Sequence, residues 1–172
     1  MSETLNKLNR ISRLVEKGAN IIMFLLIIVM ILMLIAVTIL MILSPDVLPS
    51  PPGAEEFTKD QILVVCANAV LSGVFLVIAL YYVRSFFGSI HKNNTPFTDE
   101  GVRSLEILAI ILVACAFIVP LGSALLSFAT GFWPAQIAVF NPFLLFMALV
   151  MYFLSLIFKY GAALQKESDE TL

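Results

Sequence analysis

Between Glu106 and Lys159 the chain carries no Asp, Glu, Lys, Arg or His. Few folds accept such a stretch, because as one helix rising about 1.5 Å per residue it would run more than twice the ~30 Å of a bilayer's hydrocarbon core. Thr130, Gly131, Trp133, Pro134, Asn141 and Pro142 interrupt it near its centre, so it reads as two crossings joined by a turn. An ionised side chain at the bilayer centre costs about 3 kcal/mol on insertion scales, which makes charges the natural boundaries of spans. The same rule places one span between Lys17 and Asp46 and another between Asp60 and Arg84. The expected architecture is all-α: a single domain over 1–172 with four transmembrane helices packed as a bundle, at about 21–43, 62–83, 105–126 and 140–158.

Composition agrees. Hydrophobic residues make up 60% of the chain and charged residues 13%, about half the charge of a soluble domain. A net charge of −2 argues against direct nucleic-acid binding, and two cysteines do not make a disulfide framework. The first apolar run is longer than the 7–15 residues of a signal-peptide core and no small-residue cleavage site follows it, so it is expected to be retained.

Orientation follows from the basic residues. Lys7, Arg10, Arg13 and Lys17 precede the first span, Arg84, Lys92 and Arg103 lie between the second and third, and Lys159 and Lys166 follow the fourth, leaving Lys59 alone on the other side. The positive-inside rule therefore puts both termini and the middle loop in the cytoplasm. Leu5, Leu8, Ile11, Leu14 and Val15 recur at helical spacing opposite Asn6, Lys7, Arg10, Arg13 and Lys17. That pattern predicts an amphipathic N-terminal helix, more an anchor on anionic headgroups than a docking lever.

The outer loops are expected to be connectors. Pro45, Pro49, Pro51 and Pro52 should stiffen the first. Phe132 and Trp133 suit the outer interface of the second, where a short surface or reentrant helix starting at Pro134 would fit. On the inner side, Thr98 is a good N-cap for the third span, with Asp99 and Glu100 complementing the helix dipole. Pro120 is expected to kink that span near its outer end.

Chemistry is sparse. Apart from Glu106 at the inner edge of the third, no span holds an ionisable carboxylate, amine or imidazole, the groups that membrane enzymes and ion-coupled carriers use at depth. His91 stands without metal-ligand companions, and Cys66 and Cys115 form no C-x-x-C. No catalytic, cofactor-binding or metal-binding residue is expected. Asn68 and Ser72 lie one turn apart beside Ala69 and Gly73, a pattern that favours close helix packing with a hydrogen bond across the seam. The sharper alternative makes Asn68 a ligand contact in a polar cavity.

Two stretches carry a resemblance. The run Gly88-Ser89-Ile90-His91-Lys92-Asn93-Asn94-Thr95-Pro96-Phe97-Thr98-Asp99-Glu100-Gly101-Val102-Arg103-Ser104-Leu105 resembles the middle loop of the bacterial family called domain of unknown function 2975, where a "PFT-x-E-N-x-x-x-L" element leads into the third span. Gly101 stands where that pattern has Asn. Leu156-Ile157-Phe158-Lys159-Tyr160-Gly161-Ala162-Ala163-Leu164-Gln165-Lys166-Glu167-Ser168-Asp169-Glu170-Thr171-Leu172 is similar to the family's closing segment. The resemblance implies four transmembrane helices, no established activity, and company with small helix-turn-helix regulators.

These features point to a non-enzymatic inner-membrane subunit working through its cytoplasmic face. Pro96, Phe97, Thr98, Glu100, Arg103, Lys159, Gly161, Gln165 and Glu167 are the candidate contacts for a regulatory protein partner. A carrier or channel for a small neutral or apolar solute is the alternative, built from a homo-oligomer packed through Ala69, Ser72 and Gly73. A membrane enzyme is the least expected class.

Overall fold

The computed structural model describes residues 2–42, 59–93, 95–131 and 140–170. They form four α-helices: α1 (Ser2–Ile42), α2 (Lys59–Asn93), α3 (Asp99–Thr130) and α4 (Pro142–Glu170). Each is long and apolar enough to cross a membrane. Every helix overruns the apolar span read from its charges, because Lys, Arg and Glu end an apolar run without ending a helix. The basic N-terminal segment is accordingly continuous with the first span, in one helix of 41 residues. Part of its apolar arc is uncovered: Ile11 and Leu14 are 57% and 63% exposed, whereas Leu8 and Val15 are half-buried.

The helices run alternately up and down and pack in chain order, α1 on α2, α2 on α3 and α3 on α4. Among the described residues, α1 and α4 do not close the bundle with a comparable seam. The middle of the row is therefore the best covered, and α3 buries Leu105, Leu108, Ala109, Ala116 and Ser127. By contrast, no residue in the most apolar window of α1 is buried. Lipid is as apolar as leucine, so inside a bilayer the seams depend on close approach and hydrogen bonds rather than on hydrophobic burial.

The α3–α4 seam has a specific anchor. Proline lacks an N–H, so Pro120 leaves the carbonyl of Ala116, four residues earlier, without its helical donor. The backbone N–H of Asn141 donates to that carbonyl at 2.9 Å. Asn141 also caps α4, its Oδ1 accepting from the N–H groups of Phe143 at 3.1 Å and Leu144 at 3.3 Å, with Pro142 in the first helical position. Thus α4 begins beside the middle of α3, which continues for about 21 Å more before Gly131 ends it in the left-handed conformation (φ 71°). The proline-rich first outer loop and the Phe132–Trp133–Pro134 segment lie outside the described residues.

Candidate functional site at the end that holds both termini

The connection between α2 and α3 is organised by hydroxyl groups. Thr98 is extended (φ −117°, ψ 146°) and caps α3, its Oγ1 accepting from the Gly101 N–H at 3.0 Å, as the sequence predicts. The same hydroxyl donates to Ser89 Oγ at 3.2 Å, and Ser89 donates to the Phe86 carbonyl at 2.8 Å. Asn93 Nδ2 donates to the Ser89 carbonyl at 3.0 Å. One turn into α3, Ser104 donates to the Glu100 carbonyl at 2.8 Å and lies 3.3 Å from Ser85 Oγ. Gly101 makes this closeness feasible: a Cβ there would meet Thr98 Oγ1 at 2.9 Å and Ser89 Oγ at 3.3 Å.

This loop is tied to α4 by aromatic packing and an amide. The Phe97 ring lies 5.6 Å from that of Phe158, which makes an edge contact with Phe86 of α2, also at 5.6 Å and with an 85° interplanar angle. Gly161, one turn beyond Phe158, gives the Phe97 ring its seat, since a Cβ at 161 would stand 2.5 Å from the ring. Thr95 Oγ1 donates to Gln165 Oε1 at 3.0 Å and accepts from the Phe97 N–H at 3.3 Å. Edge-to-face pairs of this kind are worth about 0.5–1.5 kcal/mol beyond area burial.

The structure thus brings together four of the sequence-derived candidates, Phe97, Thr98, Gly161 and Gln165. Pro96 is half-buried beside them, and Glu100, Arg103, Lys159 and Glu167 are exposed around them. Ser85, Ser89 and Phe86, which supply α2's part of the junction, are not among the candidate contacts read from the sequence. Their signal was weak because serine and phenylalanine near a membrane boundary are ordinary interface residues.

The second candidate group divides. Asn68 Nδ2 donates to Ser123 Oγ of α3 at 2.7 Å, a bond across the α2–α3 seam. Gly73 faces α1, where an added Cβ would meet Met30 Sδ at 2.7 Å. Ala69 and Ser72 are exposed. The small residues therefore serve two different seams, and Gly73 is engaged within the chain. Asn68 Oδ1 and Ser127 Oγ are buried without a hydrogen-bond partner among the described residues.

Cys66 and Cys115 are free thiols, and the described residues hold no cluster of three His, Cys, Asp or Glu able to bind a metal. His91 Nε2 lies 3.1 Å from an Arg13 guanidinium nitrogen, joining the end of α2 to α1.

Four helices long and apolar enough to cross a membrane define a multi-pass α-helical membrane protein. The chain belongs to the family described as Protein of unknown function (DUF2975), whose model matches residues 44–172. α2, α3, α4 and both resembling stretches fall inside that match, and α1 precedes it. Comparison with curated proteins and with solved structures finds no match.

Proposed function

We propose that the protein is a non-enzymatic subunit of the bacterial inner membrane that presents an interaction surface for a regulatory partner at the end holding both termini. The observation that carries this reading is the meeting of the two stretches around Phe97, Phe158 and Gly161. They become one surface on which Glu100, Arg103, Lys159 and Glu167 are exposed side chains of mixed sign. Mixed charge at a rim around a fixed apolar contact favours specificity over adhesion to any charged body. The excess of Lys and Arg at this end supports a cytoplasmic orientation, where a soluble regulator would meet it.

The test is purification of the tagged full-length protein from native membranes in mild detergent, with mass analysis of what stays bound. A stoichiometric soluble partner is expected, retained by wild type and lost from Glu100→Lys/Glu167→Lys, which reverses exposed charges without touching the aromatic contact. Phe97→Ala is expected to weaken the same complex while the protein still inserts. Retention of the partner by both variants, or a homo-oligomer with nothing else attached, contradicts the proposal.

A further inference from the structure

We propose that the face of α1 before the first span is a binding site for the headgroup of an anionic phospholipid. An open cavity of about 430 Å³ is lined by Asn6, Lys7, Asn9, Arg10 and Arg13, a volume within the range of small-ligand sites. Among the described residues that line it are three cations, Lys7, Arg10 and Arg13, and two amides, Asn6 and Asn9. A phosphodiester offers acceptor oxygens and a negative charge, and guanidinium groups match it with paired N–H donors. Arg13 is held against α2 through His91, at 3.1 Å. That bond occupies one side of the guanidinium and leaves further donors for a ligand.

What distinguishes a lipid from a soluble phosphate ester is the surface next to the cavity. Moving up α1 from Arg10 and Arg13 in steps of three and four residues, the same face presents Lys17, then Ile21, Phe24 and Ile28. Lys17 is exposed, and Ile21, Phe24 and Ile28 are 61%, 66% and 38% exposed. A cationic seat thus leads directly onto an uncovered apolar track running into the span. Only an amphiphile uses both parts, its headgroup at Arg10 and Arg13 and its acyl chain along Ile21 and Phe24. Anionic lipids gain roughly 1 kcal/mol for each Lys or Arg near the headgroup surface, which corresponds to about fivefold in affinity per charge.

The experiment is native mass spectrometry of the full-length protein in a neutral maltoside detergent, titrated with phosphatidylglycerol or phosphatidylcholine of identical acyl chains. The expected result is at least tenfold tighter retention of phosphatidylglycerol. Arg10→Gln/Arg13→Gln should lower its affinity about 30-fold. Arg10→Gln alone, which leaves the Arg13–His91 bond intact, should lower it about fivefold. The charge-matched control Lys159→Gln/Lys166→Gln should change it less than threefold. Equal affinity for the two lipids would overturn the proposal, as would equal losses in the two double variants, which would reduce the effect to net charge. Complete displacement by millimolar glycerol phosphate would also overturn it, by assigning the cavity to a soluble ester.

Discussion

At the end of the molecule that holds both termini, three elements meet through the Phe86, Phe97 and Phe158 rings and through two hydroxyl bonds, Thr95 to Gln165 and Thr98 to Ser89. In the far half, α2 and α3 meet through the Asn68–Ser123 bond and the close approach of Leu71 to Gly122. The difference follows from the surroundings. Where helices project beyond lipid, water competes for every polar group, and a stable junction combines ring packing with several hydrogen bonds. Within lipid one amide bond adds modestly to a seam that rests mainly on close packing, where small residues let the backbones close up.

The comparison can be broken from either side. Gly161→Leu should have the largest effect, since Leu cannot coexist with the Phe97 ring in its present seat. Overpacking of about 1–3 kcal/mol is expected, read as a lower midpoint in thermal unfolding of the detergent-solubilised protein, and an unchanged midpoint would mean the seat is loose. Asn68→Leu removes the α2–α3 hydrogen bond and should cost about 0.6 kcal/mol, the average for polar contacts between membrane helices. A loss several times larger, measured by denaturant unfolding in mixed micelles, would show that the far half depends on Asn68 as the other end depends on Phe97. Gly73→Ala sharpens the contrast: its Cβ meets the end of the flexible Met30 side chain rather than a ring, so the thioether should move aside and stability should change by less than about 0.5 kcal/mol.

Much of the fold was legible because bilayers translate charge into boundaries. Asp60, Arg84, Glu106 and Lys159 bound the expected spans, and the described residues form four helices long and apolar enough to cross a membrane. The Thr98 cap was legible because it is local, resting on residues three apart. The start of α4 beside the middle of α3 was not, since it depends on a carbonyl freed by Pro120 and a donor from Asn141, which share no local pattern. The small-residue pair of α2 also read as one surface, although Gly73 faces α1 and Ala69 is exposed. Spacing shows that such residues allow close approach; it does not name the helix that approaches. The candidate contacts around Phe97 came from sequence, but their joining to α4 through Gly161 is a long-range contact that only the three-dimensional arrangement supplies.

The most direct test of a built junction is amide hydrogen exchange of the full-length protein in lipid nanodiscs, read at Phe97, Gly101 and Val102. Their N–H groups donate to Thr95 Oγ1, Thr98 Oγ1 and the Thr98 carbonyl. The account predicts slow exchange at all three in wild type and fast exchange at Phe97 in Gly161→Leu, where the ring loses its seat. Exchange in wild type at the rate of an unstructured loop would contradict it.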